Sequence, residues 1–231
     1  RARHRRRNIH DKARISGAAY VIKDVIWDFD GTLVNSYPYL AGALKDALAM
    51  HGIEEDLNAI IEKFMDCERA ALEFFGAKYG MGEELRRDYF KCKTEGDLTT
   101  ILPFTGAKVA CESVLKAGAR NFILTHRDDS AKQIVAFSGM SDLFTEIVTS
   151  DNGFKRKPDP EGVNYLIAKY AMNPAETMIV GDRELEVELG RSAGIVSCFF
   201  NNGDARCLTQ PDYTINSLDD GQLIAIVEGR R

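Results

Sequence analysis

The sequence has no apolar run that approaches the ~18 residues of a membrane-spanning helix, and no apolar signal-peptide core near its start. These two absences predict a cytoplasmic protein without a membrane partner. Cysteine is also sparse: the five cysteines are scattered, odd in number and never spaced as Cys-X-X-Cys. That pattern predicts reduced thiols in a cytosol and argues against a structural zinc site.

Positive charge is concentrated at the start of the chain. The first fourteen residues carry seven Arg or Lys and one Asp, although the whole chain has a formal net charge of −5. The rest of the chain is therefore acidic, which argues against nucleic acid as a partner. Residues 1–14 have no apolar periodicity. We expect a basic leader over residues 1–19, disordered or derived from an expression leader, an upstream segment or an arginine-rich targeting segment.

Short apolar runs alternate with helical patterns over most of the chain. The first run, at 20–27, is rich in β-branched and aromatic residues and predicts a buried strand. Shorter runs predict strands at 121–125, 147–149, 178–181 and 195–200, with an edge strand at 213–215. Strands that alternate with helices predict an α/β fold, a Rossmann-like parallel sheet with helices on both faces.

The stretch 37–100 departs from this alternation. Apolar spacing there predicts only helices, at 38–50, 57–66, 67–79 and 83–92. We therefore expect an inserted all-helical cap domain at 37–100. The Rossmann-like core is then built from 20–36 and 101–231, where the last helix is expected at 218–227.

Polar clusters follow four of the predicted strands. Asp28 and Asp30 follow the first, Thr125 ends the second, Lys157 comes shortly after the third, and Asp182 follows the fourth. The carboxyl ends of parallel strands lie along one edge of a sheet, so these clusters can meet. Together they offer carboxylates for a hard cation, a hydroxyl and a lysine for an anion. Phosphoryl transfer needs these groups: a nucleophile, a cation and donors around the phosphoryl oxygens.

Each cluster also has a simpler explanation. Asp28 and Asp30 alone can be turn residues, Thr125 a strand-end residue, and Lys157 part of a solvated charge run. Asp182 as a helix N-cap is compatible with metal binding. Four clusters in order favour the chemical interpretation, because independent matches multiply.

With these residues the sequence resembles the haloacid dehalogenase-like (HAD) hydrolase superfamily over about residues 20–228. The stretch Asp28-Phe29-Asp30-Gly31-Thr32 looks like the DxDGT signature of the family, and Thr125 matches its second motif. Lys157 in Lys-Pro-Asp-Pro matches the third motif, and the segment from Gly181 to Gly194 matches the fourth. The helical block resembles the cap of the phosphoglycolate phosphatase-like and β-phosphoglucomutase-like branch.

The resemblance implies a role for each residue. Asp28 is the expected nucleophile, which forms an aspartyl-phosphate, and Asp30 protonates the leaving oxygen and then activates water. Asp28, Asp182 and the backbone carbonyl of Asp30 are the expected ligands of Mg²⁺. Lys157 is expected to neutralise the nucleophile and the phosphoryl charge.

The same resemblance assigns the phosphate contacts. Thr125 and the amide of His126 are expected to bind the phosphoryl oxygens, and Gly31 is expected to allow the sharp turn after the first strand. The position of Arg127 suits a phosphate or leaving-group contact, and pairing with Asp128 or Asp129 is the alternative.

One residue departs from the family pattern. Glu186 stands where the family usually has a second Asp. Its longer side chain can hold Lys157 or a water bound to the metal, or it can shift the lysine and weaken metal binding. A third alternative is a surface charge on the helix. Arg183 is expected only to cover the start of that helix.

The function expected from these residues is Mg²⁺-dependent hydrolysis of a small phosphomonoester, with a phosphorylated metabolite as the partner and a monomer or homodimer as the assembly. Asp30 favours phosphate esters, because dehalogenase and phosphonatase relatives lack an Asp there. Two alternatives stay open: a phosphomutase of the β-phosphoglucomutase type, and a non-catalytic binding or regulatory protein with the same fold.

Overall fold

The computed structural model describes residues 21–203, 207–219 and 221–230. The basic leader expected at 1–19 lies outside the described residues. The chain forms two compact units: the first contains the described residues up to Leu33 and from Pro103 onward, and the second is Val34–Leu102.

Eight strands are present in the described part of the chain. They are β1 (Asp24–Trp27), β2 (Val34–Asn35), β3 (Leu102–Pro103), β4 (Arg120–Leu124), β5 (Glu146–Val148), β6 (Thr177–Gly181), β7 (Val196–Phe200) and β8 (Tyr213–Ile215). Six of them form one sheet in the order β5-β4-β1-β6-β7-β8, and every neighbouring pair is parallel. The chain leaves β1 toward β4 and β5, then crosses to β6 on the other side. A doubly wound sheet binds its ligands at such a reversal, outside the carboxyl ends of the strands.

Helices cover both faces of this sheet. The first unit contains α5 (Ala107–Lys116), α6 (Ser130–Phe137), α7 (Glu161–Tyr170), α8 (Glu184–Ala193) and α9 (Gln222–Val227), after the four helices of the second unit. On one face, Ile26, Phe122 and Ile179 share a buried cluster with residues of α7 and α8. On the other face, Trp27 Nε1 donates to Asn121 Oδ1 at 2.9 Å, and Asn121 Nδ2 donates to the carbonyl of Cys111 in α5. The α/β fold expected from the sequence is confirmed.

The second unit is built from helices. These are α1 (Tyr37–Ala49), α2 (Leu57–Asp66), α3 (Glu68–Tyr79) and α4 (Gly82–Glu95). Its core contains Leu44, Phe64, Phe75 and Tyr89, all nearly or fully buried. Two of the helix boundaries follow the expected local rules: Asp56 caps α2 by accepting from Ala59 N, and Gly80 ends α3 in the left-handed conformation.

The structure differs from the expectations at element ends. β1 begins at Asp24 and not at residue 20, and α9 begins at Gln222, directly after Gly221 with φ of 76°, and not at 218. β2 and β3 were not expected at all; they pair with each other in a separate two-stranded sheet. A strand of two residues has no measurable period, so periodicity alone does not reveal it.

Of the helices in the described residues, none combines the length and the apolar character that a membrane crossing requires.

Candidate active site

Asp28 is buried at the carboxyl end of β1, the central strand of the sheet. Lys157 Nζ lies 2.6 Å from Asp28 Oδ1, and Arg183 Nη2 lies 3.4 Å from Asp28 Oδ2. Burial raises the pKa of Asp28, but the charges of Lys157 and Arg183 outweigh this effect and hold the pKa below its usual value. The carboxylate therefore stays ionised and has a cation at each oxygen.

Lys157 reaches this carboxylate from the loop that precedes α7. Its Nζ also donates to the carbonyl of Leu124 at 3.2 Å and lies 2.7 Å from Glu186 Oε1. Burial lowers the pKa of Lys157, but the negative charges of Asp28 and Glu186 outweigh it and raise the pKa. The ammonium is thus a permanent positive charge between two carboxylates, and it is not a surface lysine.

Glu186 lies in the first turn of α8 and is buried. It folds over Gly181, the last residue of β6: a Cβ added to Gly181 would lie 2.2 Å from Glu186 Cγ. Burial and then the charge of Asp28 raise the pKa of Glu186, although Lys157 opposes this. The missing side chain at Gly181 is what makes room for a glutamate at this position.

Three carboxylates converge at this edge of the sheet. One oxygen from each of Asp28, Asp182 and Glu186 lies within 4.8 Å of the other two, and all three side chains are buried. Thr32 Oγ1 donates to Asp182 Oδ1 at 3.0 Å and holds that carboxylate toward the group. Glu186 Oε2 has no hydrogen-bond partner among the described residues. An all-oxygen donor set with an unsatisfied buried oxygen fits a hard divalent cation such as Mg²⁺.

Asp30 points to a different partner. Arg127 Nε lies 3.0 Å from both Asp30 oxygens, and Arg127 Nη2 lies 2.6 Å from Asp30 Oδ1. Gly31, with φ of 84°, turns the chain directly after Asp30, and its carbonyl accepts from Asn202 Nδ2 at 3.0 Å. The positive φ explains why glycine is suited to this turn.

Thr125 and His126 lie on the neighbouring strand end, after β4. Thr125 is buried, and its Oγ1 accepts the N–H of Arg127 at 3.0 Å. His126 Nε2 accepts the backbone N–H of Lys157 at 2.7 Å. The imidazole therefore supports the lysine loop, and its proposed contact with phosphate stays a prediction.

The structure thus brings Asp28, Lys157, Asp182 and Glu186 to one point. His126 is connected to that point through its hydrogen bond with the N–H of Lys157. Thr125 instead accepts the N–H of Arg127, whose side chain pairs with Asp30. Sequence reasoning missed Arg183 as a partner of Asp28, Arg127 as the partner of Asp30, and the support from Thr32 and Asn202. For Arg183 a signal existed: it adjoins Asp182 at a strand end, where a side chain can turn toward the site.

The sequence is similar to those of known hydrolases. The family model "Haloacid dehalogenase-like hydrolase" matches residues 25–200. A phosphoglycolate phosphatase of Cereibacter sphaeroides is 31% identical over 189 residues, which cover 78% of this chain and 85% of that protein. A phosphoglycolate phosphatase of Vibrio vulnificus is 25% identical and covers 89% of this chain and 96% of that protein.

Solved structures agree with this result. A hydrolase from Streptococcus pneumoniae TIGR4 has a TM-score of 0.62 at 31% identity, covering 80% of this chain and 94% of that chain. A HAD-superfamily hydrolase from Geobacter sulfurreducens has a TM-score of 0.71 at 20% identity, covering 89% and 96%, and supports the fold alone. The chain therefore belongs to the haloacid dehalogenase-like hydrolase family, and it is an enzyme of the phosphatase type, a phosphoric monoester hydrolase.

Proposed function

We propose that this protein hydrolyses a small phosphomonoester in a Mg²⁺-dependent reaction that passes through an aspartyl-phosphate on Asp28. The observation that carries the proposal is the environment of Asp28: a buried, ionised carboxylate at the end of β1 with Lys157 at one oxygen and Arg183 at the other. A nucleophile must be deprotonated and held in one orientation, and this arrangement provides both.

The reaction has two steps. In the first, an Asp28 oxygen forms a bond to phosphorus, the ester P–O bond breaks, and Asp30 gives a proton to the leaving oxygen. In the second, water attacks the phosphorus, Asp30 takes a proton from that water, and the bond between phosphorus and Asp28 breaks to release phosphate. Asp30 therefore ends the cycle in the protonation state in which it began.

Other residues bind and orient the phosphoryl group. Lys157 offsets the negative charge of the nucleophile and of the phosphoryl oxygens, and Thr125 donates its hydroxyl proton to one of those oxygens. Asp28, Asp182 and the backbone carbonyl of Asp30 would hold Mg²⁺, with Glu186 beside them. The ion supplies positive charge that screens the phosphate from the carboxylates.

Phosphoglycolate is the first substrate to test, because the curated relatives described above carry that substrate in their names. Those relatives are phosphatases, so neither the phosphomutase nor the non-catalytic alternative is favoured.

The test measures phosphate release from a panel of phosphate esters, with Mg²⁺ and with EDTA. We expect turnover of at least one small ester with Mg²⁺ and its loss with EDTA. Asp28→Asn should reduce kcat by at least about 10⁴-fold, because a neutral carboxamide is a much weaker nucleophile than a carboxylate. Phosphate release by Asp28→Asn at the unmodified rate would exclude the covalent route.

A further inference from the structure

Arg127 and Asp30 form a hydrogen-bonded ion pair at the edge of the sheet. Three N–H···O contacts of 2.6 to 3.0 Å join the guanidinium to the carboxylate. The Arg127 side chain is only 3% exposed, whereas that of Asp30 is 23% exposed. The buried partner is therefore the arginine, and the more solvent-facing partner is the carboxylate.

The main chain of Arg127 is held by hydrogen bonds at its N–H and at its carbonyl. Its N–H donates to Thr125 Oγ1 at 3.0 Å, and its carbonyl accepts the N–H of Ser150 at 2.9 Å. These contacts tie the main chain of Arg127 to the ends of β4 and β5, so its guanidinium extends from a backbone that is held apart from the turn of Asp30. A planar fork of this kind sets the plane of the carboxylate that it binds.

We propose that Arg127 is a positioning residue that orients Asp30 for its two proton transfers, an inference that rests on the proposed function. The two oxygens of Asp30 are not equivalent: within the described part of the chain, Oδ1 receives N–H donors from Nε and Nη2, and Oδ2 receives only the shared Nε. Oδ2 keeps the greater acceptor capacity, so it is the oxygen that carries the proton when Asp30 is protonated; it gives that proton to the leaving group and later takes one back from water. Without Arg127 the carboxylate of Asp30 can rotate about its side-chain bonds. Oδ2 is then less often within hydrogen-bonding distance of the leaving oxygen or of the attacking water.

This role predicts a dependence on the leaving group. An alkoxide such as that of phosphoglycolate needs a proton as it departs, whereas p-nitrophenolate does not. The value of kcat/KM reports the steps up to release of the alcohol, so it isolates the first proton transfer. Arg127→Gln should lower kcat/KM for phosphoglycolate, or for the best alkyl ester of the panel, by roughly 10- to 100-fold, part of the 10²–10⁴-fold that general acids contribute. The decrease in kcat/KM for p-nitrophenyl phosphate should stay below about 3-fold, because its leaving group needs little acid catalysis.

The decisive measurement is a double-mutant cycle with Asp30→Asn. If Arg127 acts through Asp30, then Arg127→Gln should add less than about 2-fold to the loss already caused by Asp30→Asn, because coupled residues are not additive. Arg127→Lys keeps the charge without the fork and should fall between the wild type and Arg127→Gln. It also keeps the test open if Arg127→Gln does not fold.

Arg120 provides a matched control. Its Nε donates to Asp24 Oδ1 at 2.6 Å, which joins β1 and β4 at the opposite end of the same two strands. Arg120→Gln removes an arginine–aspartate pair as well, and it should leave the ratio of the two kcat/KM values unchanged.

The outcomes separate this inference from the proposed function. Equal losses for both esters in Arg127→Gln, or multiplicative losses in the double mutant, would overturn the positioning role while Asp28→Asn remains inactive. A fully active Asp28→Asn enzyme, or an Asp30→Asn enzyme that does not discriminate between the two esters, would instead reject the proposed chemistry.

Discussion

His126 provides a hydrogen-bond acceptor that is lost when its imidazole becomes protonated at acidic pH. Its Nε2 accepts the backbone N–H of Lys157 at 2.7 Å, and only the neutral imidazole can do so. Burial, followed by the positive charges of Lys157 and Arg156, lowers the pKa of His126 from 6.5 to about 3. His126→Gln is the informative change, because a glutamine oxygen can accept a hydrogen bond at similar reach but does not titrate.

The sign of the effect follows from proton binding. In the unfolded chain His126 takes up a proton below a pKa of about 6.5, whereas in the folded protein it does so only near pH 3. Between these values the unfolded state holds more protons, so the free energy of unfolding falls as pH falls. Between pH 7 and pH 4.5 this group alone should cost about 2.5 kcal/mol. In a domain of this size that equals a decrease in Tm of roughly 5–10 °C.

The sole tryptophan of the chain makes the measurement specific. Trp27 is fully buried in β1, so its emission reports unfolding of the unit that contains His126. Urea unfolding of wild type and His126→Gln at pH 7 and 4.5 should show that the wild type loses about 2.5 kcal/mol more than the variant. His51→Gln, in the helical unit, serves as the control and should leave this loss as in the wild type. Equal losses for wild type and His126→Gln would refute the reasoning.

Two further predictions concern packing and thiols. Gly181→Ala should lower the free energy of unfolding by about 1–3 kcal/mol in the Trp27 assay, because the new methyl group overlaps Glu186. Gly42→Ala is the control, because a Cβ at this position in α1 meets nothing within 4 Å. It should stabilise its unit by about 0.5–1 kcal/mol, as measured by far-UV circular dichroism. A similar loss of stability in the two variants would contradict the overlap with Glu186. An aromatic disulfide reagent should modify at most three of the five cysteines in the native protein and all five in denaturant. The reason is that Cys111 and Cys198 are buried, which raises the pKa of each thiol. Modification of either cysteine in the native protein would contradict this.

The strands of the sheet were predictable because burial on both faces makes them short, continuous apolar runs, and the helices because burial on one face spaces their apolar residues at helical intervals. Asp28 and Asp182 were also predictable at the same edge of the sheet, since each directly follows a predicted parallel strand; that these two strands are direct neighbours is seen only in the structure. The two-residue strands β2 and β3 were not predictable from the sequence. A pairing that short depends on how the rest of the fold positions the two segments, and not on their own composition.

The partner of Arg127 shows where sequence reasoning stops. Asp128 and Asp129 are its neighbours in the chain, but each accepts a different hydrogen bond. Asp128 Oδ1 accepts the N–H of Ser130, and Asp129 Oδ1 accepts the hydroxyl of Thr149. Arg127 forms its three bonds of 2.6 to 3.0 Å with Asp30, an aspartate 97 residues away in the chain. Topology predicts that the two strand ends are close, but only side-chain geometry decides which carboxylate the guanidinium binds.

Glu186 is better understood from the charge balance than from the family pattern. Three buried carboxylates, those of Asp28, Asp182 and Glu186, lie around two cations, Lys157 and Arg183. Burial, followed by the charge of Asp28, raises the pKa of Glu186, although Lys157 opposes this. A divalent cation among these oxygens, as proposed, would add positive charge there and favour the ionised glutamate. Because Gly181 leaves space for the longer side chain, Glu186 can keep its 2.7 Å contact with Lys157 while it faces the same cluster as an aspartate would.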